Sequence, residues 1–156
     1  MSDWAPLLFR YEHLVNLNDA VLPTPALSRA TVWSGLCARA IAPQLYDESI
    51  SACEIQGGAP LLMRSYRRHS TTIKDEVRLD PLGQVTFVTL IPAEFRGSAL
   101  RIRIEEPDDS SLLLHFVYEL RGRGAAPAEP EAAALRGAYT NADAAFVARL
   151  RELAAG

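Results

Sequence analysis

Hydrophobic and polar residues alternate along residues 8–17, at the start of the chain. Every second side chain falls on one face, which is apolar or aromatic apart from one histidine and carries Phe9, Tyr11, His13, Val15 and Leu17. Arg10, Glu12 and Asn16 fall on the opposite face. A two-residue period of this kind is typical of a half-buried β-strand. The pattern therefore predicts that the chain opens with a strand.

A short helix is predicted after this strand. The turn-forming segments Asn18-Asp19 and Pro23-Thr24-Pro25 end the alternation, and Ser28 is suited to cap a helix N-terminus. Apolar residues then recur at helical spacing at Val32, Trp33, Leu36, Cys37 and Ala40. Because proline has no amide hydrogen and clashes with the preceding turn, Pro43 should end this helix or begin a short second one.

Six further strands are predicted between Ile50 and Arg121. Compact turn signals separate them at Gly57-Gly58, at His69-Ser70, at Asp80 to Gly83, at Pro92 to Gly97 and at Pro107 to Ser110. Consecutive strands joined by short turns run in opposite directions, so this region should form an antiparallel meander.

A long amphipathic helix is predicted at residues 131–155, after a linker of Gly, Ala and Pro at 122–130. Its apolar positions are Leu135, Tyr139, Ala142, Phe146, Leu150 and Leu153. A sheet with one apolar face must be covered, and this helix is the longest element available. We therefore predict one α+β domain over residues 1–156, in which a curved seven-stranded antiparallel sheet wraps the C-terminal helix and encloses a mostly apolar cavity.

Composition and charge limit the kinds of partner that we expect for this chain. The chain has 16 Lys and Arg against 19 Asp and Glu, a net charge of −3 and no basic cluster, which argues against a nucleic-acid partner. The apolar stretches are too short for a membrane span and residues 1–9 lack a signal-peptide pattern, so a cytoplasmic location is expected. Cys37 and Cys53 lack metal-site spacing. We expect free thiols, no metal and no cofactor.

Strand alternation also assigns side chains to the inside of the sheet. On the last three strands the apolar sets predicted to face inward are Val85, Phe87, Thr89, Leu100, Ile102, Ile104, Leu112, Leu114, Phe116 and Tyr118. The opposite faces carry charged residues such as Arg101, Arg103 and Glu119.

One charged pair is predicted inside the cavity. A turn centred on His69-Ser70 places Arg64 opposite Asp75 and Tyr66 opposite Ile73 on one face of the hairpin. Charged residues are seldom buried unless they are paired. The pair is either an internal brace whose charges satisfy each other, or a site in which Arg64 anchors a carboxylate, enolate or phenolate and Asp75 orients it.

Other candidates have both a packing and a functional interpretation. His13 is either a hydrogen-bonded core histidine or a proton donor or acceptor to the ligand. Trp33 either packs in the core or closes one mouth of the cavity. No catalytic residue is assigned, and the predicted ligand-binding set is Tyr11, His13, Trp33, Arg64, Tyr66, Asp75, Phe87, Phe116, Tyr118, Tyr139 and Phe146.

Several short motifs occur in a characteristic order. They are Tyr11-Glu12-His13-Leu14-Val15, Val32-Trp33-Ser34-Gly35-Leu36, Leu62 to Arg64, Thr72-Ile73-Lys74-Asp75, Ile104-Glu105-Glu106-Pro107 and Phe116-Val117-Tyr118-Glu119-Leu120. From about residue 11 to the last helix the chain resembles the AtaL-like family of the START/SRPBCC helix-grip superfamily, which includes birch-pollen-type allergens, lipid-transfer domains and polyketide cyclases. The resemblance implies a helix-grip fold with a cavity for a bulky hydrophobic molecule, and it carries over no catalytic residue.

Three functions remain open. Phosphate-binding glycine loops, HExxH motifs and nucleophile elbows are missing from the sequence. We therefore expect a binding or carrier protein for a hydrophobic small molecule, of acidic or aromatic character, and lean against an enzyme. The alternative is a polyketide cyclase-, aromatase- or isomerase-like enzyme using His13, Arg64, Asp75 and Tyr118. A third hypothesis is an interaction module with a filled core, and outward apolar residues such as Val117 leave a homodimer open.

Overall fold

The computed structural model describes residues 4–18, 26–109 and 111–155. Strands and helices follow one another in the predicted order, as β1 (Leu7–Asn16), α1 (Arg29–Ile41), β2 (Ile50–Gly58), β3 (Leu61–Arg68), β4 (Thr71–Asp80), β5 (Gln84–Ile91), β6 (Ala99–Glu105), β7 (Leu113–Arg121) and α2 (Glu131–Ala155). Single-turn 3-10 helices lie at Pro43–Leu45 and Ala93–Phe95. Within the described ranges, no helix is both long enough and apolar enough to cross a membrane.

The seven strands form one antiparallel sheet in the spatial order β1-β7-β6-β5-β4-β3-β2. Strands β2 to β7 form a meander, and β1 pairs with β7 at its end. The sheet curves around α2, which contributes Phe146, Val147 and Leu150 to the main hydrophobic core. The predicted α+β helix-grip arrangement is therefore confirmed.

Helix α1 has the predicted boundaries. The Ser28 hydroxyl accepts a hydrogen bond from the Thr31 amide at 3.1 Å and caps the helix N-terminus. The helix ends at Ile41, and Pro43 begins the first 3-10 helix. The first amide of a helix has no acceptor within the helix, so proline costs no hydrogen bond at this position. The predicted turn residues from Asp19 to Pro25, and Ser110, lie outside the described residues.

The strand register around the candidate pair is confirmed, whereas one turn is displaced. Arg64 pairs with Asp75 across β3 and β4, and the turn is at His69-Ser70. The turn between β2 and β3 consists of Ala59-Pro60, so the prediction of a turn at Gly57-Gly58 is wrong. Both glycines extend β2 and pair with β3, while Pro60 stands in the turn, where its missing amide hydrogen breaks no ladder bond.

The inner face of the sheet carries the predicted apolar residues. Leu62, Phe87, Ile102 and Phe116 are all buried. Two details differ from the prediction. Leu153 is exposed, because the buried stripe of α2 ends at Leu150. Val117 lies on the outer face of the sheet but is buried, so it offers little apolar surface to a second copy of the chain.

Gly35 lies where α1 meets α2. A Cβ atom at this position would overlap with Cδ1 of Leu150 and contact the hydroxyl of Tyr46. Leu150 is itself buried and has little room to move away. The close approach of the two helices therefore requires glycine here, although glycine in a helix interior is about 1 kcal/mol less favourable than alanine.

We expect Gly35→Ala to lower the free energy of unfolding by about 1–3 kcal/mol, because the added methyl group forces Leu150 out of its packing position. Gly137→Ala in α2 is the matched control. No neighbouring atom lies within 4 Å of a Cβ at Gly137, so this change should raise the free energy of unfolding by about 0.5–1 kcal/mol. Urea denaturation followed by circular dichroism measures both. If both substitutions changed the free energy of unfolding in the same direction, the packing role of Gly35 would be contradicted.

Candidate ligand cavity

A cavity of about 670 Å³ lies between the inner face of the sheet, the C-terminal end of α1 and the side of α2. Of its 21 lining residues, six are charged, namely Arg39, Asp47, Arg64, Arg68, Asp75 and Glu119. Thirteen of the 21 are apolar or aromatic, so the lining has the predicted apolar surface and carries more charge than the single predicted pair. Strand alternation identifies the apolar inward positions, but it does not show that the end of α1 and the strand ends bring charged side chains to the same space.

Aromatic rings form much of the remaining wall. Half of the chain's twelve aromatic residues line the cavity, namely Tyr46, Tyr66, Phe87, Tyr118, Tyr139 and Phe146. The rings of Tyr118 and Tyr139 stack with centroids 3.9 Å apart and planes 10° apart. The Tyr46 and Phe146 rings are tilted against each other, with centroids 5.0 Å apart. The cavity therefore presents flat apolar faces together with a small number of polar groups.

Seven of the eleven predicted ligand-binding residues line this cavity: Arg64, Tyr66, Asp75, Phe87, Tyr118, Tyr139 and Phe146. The other four, Tyr11, His13, Trp33 and Phe116, do not line it. Phe116 is fully buried, and Trp33 packs against the core instead of closing a cavity mouth. Tyr11 and His13 lie on β1, where hydrogen bonds to Thr140 and Asp143 hold α2 against the strand.

The Arg64 guanidinium is fully engaged within the protein. Its Nε and Nη2 donate to the two carboxylate oxygens of Asp75 at 2.8 and 2.6 Å. Its Nη1 donates to the carbonyl oxygens of Arg39 and Ala40 at 3.3 and 3.1 Å. These carbonyls belong to the last turn of α1, where the helix supplies no amide partner. Arg64 therefore braces β3, β4 and the end of α1 together, and this geometry favours the brace interpretation of the pair over the anchor interpretation.

Among the described residues, Arg39 is the charged lining residue without an ion-pair partner. Its Nη1 has essentially no accessible surface and no hydrogen-bond partner among residues 4–18, 26–109 and 111–155. The guanidinium carbon lies 4.6 Å from the centre of the Phe146 ring and 5.8 Å from that of Phe87. Burial lowers the pKa of Arg39, and the nearby Tyr118 and Asp143 oppose this effect. The cavity thus contains a guanidinium that lies against aromatic rings and whose Nη1 has no hydrogen-bond acceptor among the described residues.

A buried carboxylate connects α2 to the sheet beside the cavity. Asp143 is fully buried and accepts a hydrogen bond from the Tyr118 hydroxyl, while its other oxygen lies 2.6 Å from His13 Nε2. Burial raises the pKa of Asp143, although these two hydrogen bonds act in the opposite direction. Burial and the neighbouring carboxylate hold the pKa of Tyr118 well above its usual range. Tyr118 therefore remains a neutral phenol at the cavity wall.

Arg39 and Asp143 were not predicted from the sequence, although both stand at informative positions. Arg39 follows Leu36 by three residues and Val32 by seven, so it lies on the apolar face of α1. Asp143 follows Tyr139 by four residues and precedes Phe146 by three, on the face of α2 that meets the sheet. A charged residue at helical spacing within an apolar stripe was the signal that could have identified them.

We expect Arg64→Ala to lower the free energy of unfolding by about 3–5 kcal/mol, because it leaves Asp75 as an unpaired buried carboxylate and removes donors from two carbonyls of α1. Arg78→Ala on β4 is the control. Arg78 pairs with Glu76 at 3.2 Å but its side chain is 67% exposed, so the loss should be below about 1 kcal/mol. Urea denaturation gives both values. Similar small losses in the two variants would contradict the bracing role of Arg64.

Similarity to solved structures agrees with the fold. The aromatase/cyclase ZhuI from Streptomyces sp. R1128 superposes with a TM-score of 0.66 at 15% identity, covering 94% of this chain and 93% of that chain. A START superfamily protein from Mycobacterium smegmatis gives 0.65 at 16% identity, with 92% and 98% coverage. The di-domain aromatase/cyclase StfQ from the steffimycin biosynthetic pathway gives 0.70 at 7% identity, and this chain covers 50% of it. Identities this low show the shared fold alone.

Comparison of the sequence with protein families gives a narrower assignment than the fold does. None of the curated proteins matches it significantly. The family model AtaL, described as acetylaranotin biosynthesis cluster protein L, matches residues 15–156. This match extends from the end of β1 through α2 and therefore includes both walls of the cavity. Because the model covers nearly the whole sequence, the chain belongs to the AtaL family.

Proposed function

We propose that this protein binds a planar, aromatic small molecule in the cavity between the sheet and α2. The observation that carries the proposal is a cavity of about 670 Å³ whose lining includes six aromatic side chains. This volume is in the range of cavities that hold small molecules, roughly 300–1,000 Å³. Aromatic pairs prefer offset-stacked or edge-to-face contacts, so walls of this kind favour flat rings over flexible alkyl chains.

The polar lining refines the class of ligand. Burial raises the pKa values of Tyr46, Tyr66, Tyr118 and Tyr139, so that these four hydroxyl groups stay neutral. The Tyr118 hydroxyl donates to Asp143, whereas the other three neutral phenols can donate hydrogen bonds to carbonyl and hydroxyl oxygens of a ligand. Oxygen-bearing polycyclic molecules combine such acceptors with flat apolar faces. The two aromatase/cyclase neighbours share the fold, and this class of molecule agrees with their described activity.

The cavity needs both the sheet and the C-terminal helix. Strands β3 to β7 supply one wall, and Tyr139, Ala142, Ala145 and Phe146 of α2 supply another. We therefore propose that residues 1–156 act as one ligand-binding domain, in which α2 is part of the site as well as part of the core.

Binding of the neutral fluorophore N-phenyl-1-naphthylamine tests this function. We expect one probe per chain and enhanced emission, because the probe exchanges water for aromatic walls. Ala145→Trp should lower the affinity about tenfold or more, since Ala145 lines the cavity and an indole there occupies ligand space. Ala144→Trp is the matched control at an adjacent exposed position outside the lining, and it should leave binding unchanged.

A wild-type protein that fails to bind the probe would overturn the proposal. Equal affinities of both alanine variants and the wild-type protein would overturn it as well, because they would locate the bound probe away from the cavity.

A second candidate function is proton transfer to or from a bound ligand. It is favoured by the hydrogen-bonded series from His13 through Asp143 to Tyr118, because Tyr118 reaches the cavity wall. A phenol linked to a buried carboxylate and a histidine can relay a proton between the ligand and those groups. In this interpretation Tyr118 is the group that touches the ligand, while Arg64 and Asp75 hold the fold.

Hydrogen–deuterium exchange at the central carbon of benzoylacetone separates the two candidates. An enzyme should accelerate this exchange above the buffer rate, and Tyr118→Phe should abolish the acceleration while probe binding persists. Tyr66→Phe is the control, because Tyr66 also lines the cavity but is not bonded to Asp143. No acceleration by the wild-type protein, with normal probe binding, would leave the binding function alone. Proton NMR in D₂O measures the exchange.

A further inference from the structure

Of the six charged side chains that line the cavity, five lie within ion-pair distance of an opposite charge. Arg64 pairs with Asp75 at 2.6 Å, Arg68 with Asp47 at 3.2 Å, and Glu119 lies 3.9 Å from Arg10. Within the described ranges 4–18, 26–109 and 111–155, no ion pair involves Arg39. An unpaired charge removed from water costs several kcal/mol, so proteins rarely retain one without a partner.

The groups closest to Arg39 do not complete its coordination. Asp143 is near enough to raise the pKa of Arg39, but each of its oxygens already makes a short hydrogen bond, one with Tyr118 and one with His13. Asp75 is bound at both oxygens by Arg64. Both buried carboxylates near this end of the cavity therefore have their main hydrogen bonds elsewhere.

The surroundings of Arg39 leave room for an external acceptor. The faces of the Phe146 and Phe87 rings support the guanidinium by cation–π attraction. These ring contacts supply no oxygen acceptor, so the N–H groups of the guanidinium still require one. Arg39 also lines the cavity, so a molecule bound there would contact its side chain.

We propose that Arg39 is an anchor for an anionic oxygen, such as a carboxylate or phenolate, carried by the aromatic ligand. This inference rests on the proposed binding function and assigns the ligand an acidic group. A guanidinium forms two parallel hydrogen bonds with a carboxylate, and it does so more strongly in a water-poor site. A bound anion would also offset the unfavourable effect of burial on the positive charge of Arg39.

The test compares anthracene-2-carboxylate with its methyl ester, which has the same rings without the charge. Both are titrated as competitors against N-phenyl-1-naphthylamine at pH 7. We expect the wild-type protein to bind the carboxylate about tenfold or more tightly than the ester, which corresponds to a charge-assisted hydrogen bond. In Arg39→Gln the preference should disappear through weaker carboxylate binding, with ester binding unchanged. Arg39→Lys should restore part of the preference.

Arg136→Gln is the control for the loss of one positive charge. Arg136 lies on α2 outside the cavity lining and pairs with Glu129 at 2.9 Å. It should keep the wild-type preference for the carboxylate. If Arg136→Gln lost the preference as Arg39→Gln does, the effect would be one of overall charge, and the anchor role would be rejected.

Failure of the anchor is distinguishable from failure of the binding function. If the fluorophore does not bind the wild-type protein, the cavity function fails. If the fluorophore binds and both competitors displace it equally, the cavity function stands and the anchor is rejected. Thermal unfolding completes the test: Arg39→Gln should unfold at or above the wild-type temperature, because it removes an unpaired buried charge. A fall as large as that of Arg64→Ala would reject the anchor in favour of a structural role.

Discussion

The paired hydrogen bonds between Arg64 and Asp75 are the interaction on which the cavity depends. They join β3 to β4 on the inner face, and the remaining Arg64 donor satisfies the last carbonyls of α1. The end of α1 is thereby fixed over the open part of the sheet. Because Arg39 belongs to that last turn, the same contacts that occupy Arg64 also hold Arg39 at the cavity. One buried arginine thus fixes the position of a second arginine at the cavity wall.

The cavity arises because α2 does not cover the whole inner face. Asp143, Phe146, Val147 and Leu150 pack against the sheet and α1, whereas most side chains earlier in α2 are partly or fully exposed. Asp143 fastens the helix to β1 and β7 through His13 and Tyr118. The cavity lies beside β3 to β7, and none of its described lining residues lies on β1. Tyr118 connects the Asp143 contacts to the cavity, because it is bonded to Asp143 and also lines the cavity.

The two-residue period predicted most of the fold, because a strand with one buried face has only one register that keeps its apolar residues inside. The pairing of Arg64 with Asp75 followed from the position of a single turn. The cavity was harder to predict, since alternation tells which side of a strand is inward but not which inward residues a helix covers. Tyr11, His13 and Phe116 are inward and yet closed off. Arg39 and Asp143 were missed because charged residues had been excluded from the apolar helix stripes, although burial of a charge is itself informative.

The position of β1 in the sheet has a consequence for how the chain reaches its native state. β1 pairs with β7, and the residues that face each other in this ladder are about 100 positions apart in the sequence. Every other pair of neighbouring strands joins segments that are consecutive in the sequence. Closing so long a loop costs more chain entropy than closing the short turns of the local hairpins. Contacts between residues far apart in the sequence also slow folding. Local contacts alone can therefore assemble the meander, whereas the docking of β1 onto β7 requires the closure of this long loop.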